Sequence, residues 1–337
     1  MKKALVTGIQ GQDGPYLAKH LIDQGYEVYG GYRATSNMDK IGLDFLDITD
    51  QVKMVPFNLM EYSNLWQLFN KIQPDEIYNL AAQSFVGISF KQPLLTADID
   101  AMGPLRLLDI IKTVKPDCKF YQASTSEMFG KVHEIPQSET TPLHPRSPYG
   151  VAKVMAHWAT VNYRESYDMF CCSGILFNHE SPLRGTNFVT RKISQAVARI
   201  AKGSKHILEL GNLDAKRDWG FAGDYVEAMY LMMQHDVSDT YVVATGETHS
   251  VREFVEGAFA CVDKKIRWEG EGVDEKGYDA QTGKQLIGVN PEFFRPAEVD
   301  ILIGDNTKAK TVLGWQPKID FQGLTELMVK HDLDLIR

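Results

Sequence analysis

Short apolar runs alternate with longer helical patterns over the first half of the chain. Apolar runs bounded by turn residues predict strands, and apolar residues at three- and four-residue spacing predict helices. The predicted strands are Lys3–Thr7, Tyr26–Gly31, Met54–Phe57, Glu76–Ala81, Lys119–Ser124 and Cys171–Phe177. The predicted helices are Gly14–Gln24, Leu65–Ile72, Leu94–Thr113 and Pro148–Tyr167. This alternation predicts an α/β fold, in which a doubly wound parallel sheet carries helices on both faces.

The pattern is less regular in the second half. Helical spacing returns at Val189–Ala201, Tyr225–Gln234, Val251–Ala260 and Leu324–Leu335. Tyr241–Thr245 predicts a further strand at the edge of the first sheet, whereas Gly270–Asn290 shows no strong periodicity and is expected to form loops. We therefore expect a second, smaller α/β domain built from interleaved pieces. The predicted division is residues 1–178 with 238–260 for the sheet domain, and 179–237 with 261–337 for the smaller, substrate-binding one.

Composition narrows the class of protein without selecting an activity. The 337 residues include 36 basic and 44 acidic side chains, and the net charge of −8 excludes a general nucleic-acid binder, which needs a surplus of cations. No run approaches the roughly 18–20 apolar residues of a membrane-spanning helix. The opening MKKALVTG reaches a glycine turn before any secretory apolar stretch. These features predict a cytoplasmic enzyme or a cytoplasmic binding protein.

The cysteines do not predict a metal site. Cys118, Cys171, Cys172 and Cys261 form no pair of C-x-x-C motifs. Cys171 and Cys172 are adjacent on a predicted strand, so their side chains are expected to point to opposite faces. We expect these residues to be buried free thiols in a reducing compartment.

Glycines follow the first predicted strand at the point where the first predicted helix begins. Gly8, Gly11 and Gly14 have the spacing G-x-x-G-x-x-G. Glycine permits a tight turn and a close approach of the backbone to a pyrophosphate, and a helix N-terminus offers N–H groups and a positive dipole end. A turn that merely joins strand to helix is the alternative, but the strand before and the helix after favour dinucleotide binding. The parallel sheet is therefore predicted to be of the Rossmann type.

The end of the second predicted strand indicates which dinucleotide binds. A carboxylate about 20 residues beyond the glycines would bind an unphosphorylated ribose, but none follows the strand until Asp39. Arg33, with Thr35 and Ser36 nearby, suits a 2′-phosphate instead. The sequence therefore predicts NADP rather than NAD, with an ordinary surface cation as the alternative role of Arg33.

Two segments carry candidate catalytic chemistry. Ser124 to Glu127 stand at the carboxyl end of a predicted strand, where ligands bind in open parallel sheets. Tyr149 and Lys153 lie four residues apart on one face of the helix that Pro148 begins. A lysine beside a phenol lowers the pKa of the phenol, so we expect Tyr149 to be a base near neutral pH.

The glycine turn and the Tyr149/Lys153 pair resemble the extended short-chain dehydrogenase/reductase superfamily. Within it, longer stretches resemble the GDP-mannose 4,6-dehydratase family over nearly the whole chain: TGIQGQDGPYLA, QPDEIYNLAAQSFV, FYQASTSEMFG, SPYGVAKVMAHW, GILFNHESPLRG, RDWG, FFRPAEVD and LGWQP. The resemblance implies a hydro-lyase that acts on a GDP-sugar, with Thr125, Glu127, Tyr149 and Lys153 as the catalytic set.

The implied reaction gives Tyr149 and Glu127 separate tasks. Tyr149 takes the proton of the sugar O4 while the C4 hydride moves to the nicotinamide. The resulting ketone acidifies C5, Glu127 removes the C5 proton, water leaves from C6, and the hydride returns there. A plain epimerase needs no carboxylate at this position, so Glu127 is predicted to separate a dehydratase from an epimerase. The alternative for Glu127 is an exposed side chain that caps the loop.

The resemblance also implies the binding residues. Those expected at the cofactor are Gly8, Gly11, Gln12, Asp13, Gly14, Arg33, Asn58, Leu59, Leu80, Ala81, Ala82, Gln83, Ser84, Tyr149, Lys153, His179 and Arg184. Those expected at the GDP-sugar are Ser84, Ser126, Asn178, Lys192, Arg217, Arg295 and Glu298. The cations among these residues suit a pyrophosphate. The alternative role of Arg217 is a local salt bridge to Asp218 or Asp214. The alternative for His179 is a histidine whose hydrogen bonds are satisfied within a turn. The expected assembly is a homo-oligomer, either a dimer or a tetramer.

The chain departs from the family at three places. The usual double arginine is Arg33 followed by Ala34, and the loop after it, which in the family reaches a neighbouring subunit's cofactor, is short. The usual Gly-Asp-Leu has Asn58 at its centre, which can still hydrogen-bond an adenine. Gly270–Asn290 is also shortened. NAD therefore stays open as the cofactor, a dimer as the assembly, and a related GDP-sugar such as GDP-manno-heptose as the substrate. More distant alternatives for the protein are a nucleotide-sugar 4-epimerase and a non-catalytic nucleotide-binding protein.

Overall fold

The computed structural model of the chain describes residues 1–34, 39–293 and 301–336. Its strands are β1 (Lys3–Thr7), β2 (Glu27–Tyr32), β3 (Val52–Pro56), β4 (Glu76–Asn79), β5 (Lys119–Thr125), β6 (Cys171–Leu176), β7 (Asn178–Glu180), β8 (Leu208–Leu210), β9 (Lys216–Arg217), β10 (Trp219–Phe221), β11 (Thr240–Val243), β12 (His249–Ser250), β13 (Ile266–Glu269), β14 (Lys276–Asp279) and β15 (Gln285–Val289). Its α-helices are α1 (Asp13–Asp23), α2 (Ile41–Phe45), α3 (Tyr62–Ile72), α4 (Val86–Ser89), α5 (Pro93–Ala97), α6 (Gly103–Val114), α7 (Pro148–Tyr167), α8 (Val189–Ala201), α9 (Ala222–Gln234), α10 (Val251–Ala260), α11 (Thr307–Leu313) and α12 (Phe321–Leu335).

Seven strands form the main sheet in the order β11-β6-β5-β4-β1-β2-β3. Every neighbouring pair in it is parallel, which confirms the predicted α/β fold with a doubly wound parallel sheet. β11 lies at one edge beside β6, as predicted for Tyr241–Thr245. The strand order reverses between β1 and β4, and such a reversal opens a crevice at the carboxyl ends of the strands.

Apolar residues are buried on both faces of the main sheet, as expected for a parallel sheet that helices cover on both sides. On one face, Leu17 of α1 and Met229 of α9 pack against the strands. On the other face, Phe69 of α3 and Leu107 of α6 do so. Each of these residues is fully buried, so this packing fixes the helices whose ends border the crevice.

The cysteines follow the prediction with one exception. Cys171 and Cys172 pack into the cores on opposite faces of the sheet, as predicted, and Cys118 is also buried. Cys261 is exposed, so the expectation of a buried thiol is wrong for this residue. The reason is local, because Cys261 caps the end of α10 and lies outside its buried face.

Helix α7 has the predicted bounds, and local chemistry sets both ends. Ser147 accepts the backbone N–H three residues further on at 3.0 Å, and Pro148 stands in the first turn, where no N–H is needed. The helix stops because Asp168 adopts the left-handed conformation. The buried face of α7 carries Tyr149 and Lys153.

The predicted helix Leu94–Thr113 is interrupted. Helices α5 and α6 are separated by a π-helical turn, Asp98–Met102. A π-helical turn accommodates an additional residue within a helix and often lies at a functional site. This one carries Asp100 into the interior, where its side chain is 0% exposed.

A smaller sheet, in the order β13-β14-β15-β8, forms in the second half of the chain. Its strands are antiparallel except for the pair β15 and β8. Trp219, Phe254 and Leu324 belong to the core that α8, α10 and α12 share beside it. The expectation of loops over Gly270–Asn290 is wrong, because β14 and β15 lie there. Pairing with β13 and β8 supports these strands, which the local pattern alone does not indicate.

Helix α9 lies on the main sheet beside α1, whereas α10 packs against α8 and α12. The predicted boundaries gave α9 to the smaller domain and α10 to the sheet domain, and the division of the chain into domains stays a prediction. Within the described ranges, every helix is too short or too polar to cross a membrane.

Candidate active site

A cleft opens at the carboxyl ends of the central strands of the main sheet. Every residue predicted at the cofactor lines it, from the turn at Gly8 to His179 and Arg184. Thr125 and Glu127 line it as well. The fold therefore brings together residues that are spread from Gly8 to Arg184 in the sequence, as a common site requires.

The glycine turn forms a cradle of backbone atoms at the start of α1. Gly8 has a φ of +69°, in the left-handed region that favours glycine. A Cβ atom on Gly14 would lie 2.6 Å from Cα of Ile9 and 2.7 Å from the carbonyl oxygen of Gly8, so no larger residue fits. The first turn of α1 adds N–H groups without partners inside the helix. This cradle fits the pyrophosphate of a dinucleotide.

Thr7, at the end of β1, holds the next loop of the cleft in place. Its Oγ1 accepts the N–H groups of Leu80 and Ala81 at 3.0 and 2.9 Å, and it donates to Oδ1 of Asn79 at 2.9 Å. The loop Leu80 to Ser84 is therefore tied to the strand that precedes the glycine turn.

A partly buried ion pair stands at the start of α1. His179 donates from Nε2 to Oδ2 of Asp13 at 2.8 Å and from Nδ1 to the carbonyl of Phe177 at 2.8 Å. Both partners are acceptors, so both ring nitrogens carry hydrogen and the ring is an imidazolium. Burial by itself would lower the pKa of His179, but the Asp13 carboxylate raises it. His179 is therefore both satisfied in its turn and part of the cleft wall.

Arg184 presents a fixed cation on the same side of the cleft. Its Nε lies 3.1 Å from Oε2 of Glu180, and its guanidinium carbon lies 3.5 Å from the ring centre of Phe188. An arginine that is paired and stacked in this way loses little further entropy when it binds an anion. Phe188 lines the cleft but is absent from the predicted set.

The predicted catalytic residues meet where β5 ends and α7 begins. Oγ1 of Thr125 accepts the N–H of Glu127 at 3.2 Å, which fixes the turn after β5. The Thr125 side chain lowers the pKa of the Tyr149 phenol, against the effect of burial. Lys153 donates from Nζ to the carbonyl of Ala123 at 3.0 Å, and this Nζ lies 5.8 Å from the ring centre of Tyr149. Glu127 is only 9% exposed, so the alternative of an exposed capping side chain is wrong.

The electrostatic environment of Tyr149 differs from the expectation. Burial raises the pKa of Tyr149 above its usual value, and the charges of Asp100 and Glu127 add to this rise, while the hydrogen bond with Thr125 opposes it. The prediction of a lowered pKa is wrong because burial outweighs the cations, and Lys153 turns its Nζ to a carbonyl rather than to the phenol. Burial lowers the pKa of Lys153 itself.

Asp100 is a buried carboxyl of the site that the sequence pattern did not single out. Its Oδ1 accepts the N–H of Gln83 at 2.7 Å, and burial raises its pKa to about 6, against the opposing charge of Lys153. In the sequence it is one aspartate among apolar residues at helical spacing. One feature of the sequence could have identified Asp100 as a buried residue: it lies on the apolar, core-facing side of that helical pattern.

The residues predicted at the GDP-sugar are only partly brought together. Ser84, Ser126 and Asn178 line the cleft. Lys192 and Arg217 are not among its lining residues. The Nζ of Lys192 lies 3.6 Å from the ring centre of Phe293, and Arg217, on β9, donates from Nη1 to the carbonyl of Lys216 at 2.8 Å. The predictions for Arg295 and Glu298 lie outside the described residues.

Asp214 and Asp218, the two carboxylates predicted as alternative salt-bridge partners of Arg217, bond to other groups of the protein. Asp214 pairs with Arg252 at 3.0 Å, and Asp218 accepts N–H groups of Thr245, Gly246 and Gly304.

Two of the departures from the family line the cleft. Arg33 stands just after β2, while Thr35 and Ser36 lie outside the described residues. Asn58 accepts at Oδ1 the N–H of Met60 at 3.1 Å, which closes a turn after β3.

The family is decided by similarity over the whole chain. A family model described as GDP-mannose 4,6 dehydratase matches residues 5–328. The chain belongs to this family. It is 51% identical to the GDP-mannose 4,6 dehydratase of Drosophila melanogaster, over 100% of this chain and 87% of that protein. It is 52% identical to the GDP-mannose 4,6 dehydratase of Homo sapiens, over 99% of this chain and 92% of that protein.

Solved structures of lower sequence identity share the fold of this chain. RMD from Pseudomonas aeruginosa complexed with NADPH aligns with a TM-score of 0.77 at 22% identity, covering 100% of both chains. A dTDP-glucose 4,6-dehydratase from Bacillus anthracis in complex with NAD aligns with a TM-score of 0.80 at 20% identity, covering 98% of this chain and 96% of that one. At this identity the similarity establishes the Rossmann-type fold.

Proposed function

We propose that the chain is an NADP-dependent GDP-mannose 4,6-dehydratase that converts GDP-mannose to GDP-4-keto-6-deoxymannose and water. The observation that carries the proposal is the buried carboxyl of Glu127, held beside Thr125 and Tyr149 in one cleft. An elimination needs a second base besides the one that serves the oxidation, whereas an epimerisation does not. Membership of the family supports the same reaction.

Each catalytic residue has its own task in the proposed reaction. Tyr149 takes the proton of the sugar O4, and Thr125 favours the phenolate that accepts it by lowering the pKa of Tyr149. Glu127 takes the C5 proton and delivers it to the C6 hydroxyl, which leaves as water. The proton on Tyr149 then returns to C5. When bound, the cofactor supplies the hydride acceptor for C4 and the hydride that returns to C6.

The raised pKa of Tyr149 sets a condition on this scheme. A buried phenol is protonated at neutral pH, so it becomes a base only when positive charge near it favours the phenolate. Arg184 already opposes the rise, and Lys153 is the nearest lysine on the same helix. Both residues line the cleft, so they can stabilise the phenolate once a substrate lies against it.

The choice of NADP rests on Arg33. Arg33 lines the cleft just after β2, where the ribose of a Rossmann-bound dinucleotide is recognised. An arginine there favours the 2′-phosphate by charge-assisted hydrogen bonds. Of the two solved structures with this fold, one holds NADPH and the other holds NAD. A binding experiment must therefore compare both cofactors.

The proposed assembly is a homo-oligomer built through α7. Three apolar side chains lie along the exposed side of this helix at helical spacing, Val151, Met155 and Trp158, with exposures of 57%, 43% and 56%. Leu94 on α5 is exposed as well. An apolar stripe of this kind on the surface is typical of a contact between subunits. The cytoplasmic location stays a prediction from the sequence.

The proposal is tested by incubating the protein with GDP-mannose and NADP. We expect a product lighter than the substrate by one water, with no net formation of NADPH. Relative turnover of GDP-mannose and GDP-manno-heptose identifies the sugar. Stoichiometric reduction of the cofactor, or an isomer of unchanged mass, would instead indicate a dehydrogenase or an epimerase.

A further inference from the structure

A buried histidine lies on the same face of α7 as Tyr149 and Lys153. His157 follows Lys153 by four residues, as Lys153 follows Tyr149, so the three side chains share the buried side of the helix. His157 is 5% exposed and lies where α7 packs against β5 and β6. The proposed reaction gives this imidazole no task, although burial of a polar group costs free energy unless hydrogen bonds compensate for it.

Two hydrogen bonds connect His157 with the cleft. Nδ1 of His157 lies 2.8 Å from Oγ of Ser173 on β6, and this Oγ lies 2.9 Å from Oγ of Ser124 on β5. Ser173 is fully buried, whereas Ser124 lines the cleft beside Thr125. The chain His157–Ser173–Ser124 therefore runs from the imidazole on α7 to a hydroxyl at the ligand-binding surface.

This hydrogen-bond chain has two self-consistent directions. A serine hydroxyl has one proton to donate, and a neutral imidazole has one N–H donor and one nitrogen acceptor. Burial lowers the pKa of His157 to about 4, so the ring is neutral at neutral pH. In the described part of the chain, the Ser173 hydroxyl bonds to Ser124 and to His157, so its single proton must go to one of these two.

The tautomer of His157 selects the direction. When Nδ1 has no proton, Ser173 donates to Nδ1 and Ser124 donates to Ser173, so Ser124 has only lone pairs left with which to accept from a ligand. When Nδ1 carries the proton, His157 donates to Ser173 and Ser173 donates to Ser124, so Ser124 can donate its proton to a ligand. The two tautomers present opposite hydrogen-bonding groups at the same point of the cleft.

We propose that His157 is a positioning residue of the active site, which sets through Ser173 whether Ser124 accepts or donates a hydrogen bond in the cleft. The coupling is reciprocal, so a ligand bound against Ser124 shifts the tautomers of His157. The inference requires a nicotinamide dinucleotide or a sugar in the cleft, and its kinetic part rests on the proposed dehydratase function.

The first test observes the imidazole itself and needs no turnover. Nitrogen-15 NMR distinguishes the two tautomers of a histidine, and the signals of His157 are identified by their loss in His157→Asn. NADPH is added first, or NADH if that is the reduced cofactor that binds. GDP-mannose is added second, to a complex that cannot accept a hydride. In at least one step we expect the tautomer ratio of His157 to change by about twofold or more.

Ser124→Ala and an exposed histidine control this titration. Ser124→Ala removes the hydroxyl that faces the cleft, so the tautomer ratio of His157 should no longer respond to the ligands. The signals of His206, an exposed histidine, should not respond in either protein. A tautomer ratio of His157 that stays constant through both additions, or that shifts equally in Ser124→Ala, would overturn the proposal.

The second test compares variants along the chain. His157→Phe and Ser173→Ala break the chain and leave Ser124 in place, so each should raise the dissociation constant of NADPH or the KM for GDP-mannose by about two- to tenfold. His157→Asn keeps an amide that can turn to donate or to accept, so these constants should stay within about twofold of the wild type.

The double variant of His157→Phe and Ser173→Ala shows whether the two residues act together. Because both changes break one chain, its constants should be no worse than those of the more affected single variant. Additive effects, or equal losses in His157→Asn and His157→Phe, contradict the proposal. If His157→Phe does not fold, the titration of the wild type decides. If the wild type fails to convert GDP-mannose, the dehydratase proposal falls while the titration with reduced cofactor still decides the role of His157.

Discussion

His179 and Asp13, 166 residues apart in the sequence, form a partly buried ion pair with 2.8 Å between Nε2 and Oδ2. Gln12 reinforces it by donating from Nε2 to Oδ1 of Asp13 and to the carbonyl of His179, each at 3.0 Å. The first turn of α1 is thereby joined to β7. The pyrophosphate cradle is therefore held by a contact with β7, a strand that follows β6 in the chain and lies outside the main sheet.

This ion pair predicts a pH dependence of stability. The pKa of His179 lies above its usual 6.5, so its charged form stabilises the fold fully below pH 6.5, and this contribution is lost as the pH rises through the raised pKa. The pKa of Asp13 lies below its usual 3.8, so its contribution is lost only as the pH falls through that lowered pKa. We expect the free energy of unfolding to decline as the pH increases above 6.5. Urea unfolding at a series of pH values measures this decline.

The decline should disappear when the histidine is replaced. His179→Gln removes the titrating group, so its unfolding free energy should change less with pH than that of the wild type. His206→Gln, at an exposed histidine, serves as the matched control and should follow the wild type. Equal pH slopes for the wild type and His179→Gln would show that the pair does not titrate in this range.

Glu127→Gln should separate the oxidation from the elimination. The amide cannot take the C5 proton, so formation of the product should fall by about 10²–10⁴-fold, while Tyr149 still supports hydride transfer. A single turnover should therefore accumulate reduced nicotinamide, visible by its absorbance, without a product lighter by one water. Tyr149→Phe is the control and should lose both signals. Product formation at the wild-type rate in Glu127→Gln would remove its assigned role.

The surroundings of two glycines, Gly14 in the cradle and Gly257 in α10, predict opposite effects on stability when each is replaced by alanine. In Gly14→Ala the new methyl group meets backbone atoms at 2.6 and 2.7 Å, so we expect several kcal/mol of destabilisation, of the order seen for overpacked cores. Gly257→Ala, within α10, meets only the Cγ2 of Thr325 at 3.6 Å and should gain about 1 kcal/mol in helix propensity. Denaturant unfolding of both variants tests the pair, and comparable loss in both would count against the steric argument.

Arg33→Ala should change the cofactor preference rather than general binding. Charge-assisted hydrogen bonds contribute about 1.5–3 kcal/mol, so we expect the affinity for NADP to fall by roughly tenfold or more. The affinity for NAD should stay the same, because it has no 2′-phosphate. Calorimetric titration of each cofactor into the wild type and the variant gives the four dissociation constants. A similar loss for both cofactors would assign Arg33 a structural role.

Trp158→Glu should disrupt the proposed assembly. A carboxylate in the apolar stripe of α7 would be buried without a cation in a subunit contact, so the variant should sediment as a smaller species than the wild type. Val237→Glu changes a side chain of similar exposure, 65%, in the loop after α9 and should leave the mass unchanged. A wild-type mass for Trp158→Glu would exclude α7 as the contact.

Local chemistry decided which elements the sequence predicted well. Helix α7 has a capping serine, a proline in its first turn and a left-handed stop, so its bounds agree with the pattern. The interruption at Asp98–Met102 was missed because one additional residue in a helix shifts the apolar spacing very little. The sequence pattern did not predict the strands β14 and β15. Pairing with neighbouring strands in the small sheet supports them, and their own side chains show no clear strand pattern.

The residues of the candidate site also fall into two groups, those that the sequence pattern located and those whose properties depend on the assembled fold. The glycine turn and Glu127 follow strand ends that the pattern located, so the sequence alone placed them at one edge of the sheet. Tyr149 stands in the first turn of α7, a helix whose bounds the pattern also located. The burial of Asp100 depends on how the π-helical turn packs in the assembled fold, which no spacing along the chain encodes. The raised pKa of Tyr149 was missed for a related reason, since burial is a property of the assembled fold.

The position of β11 has a consequence for synthesis of the protein. β6 ends at Leu176, but the strand that covers its free edge is completed only at Val243, after α8 and α9 have been made. During translation, the nascent sheet therefore exposes an unpaired edge while the ribosome adds the intervening segment, and exposed strand edges promote aggregation. Slow codons placed between these two strands should reduce the yield of soluble protein, and slow codons after β11 should not.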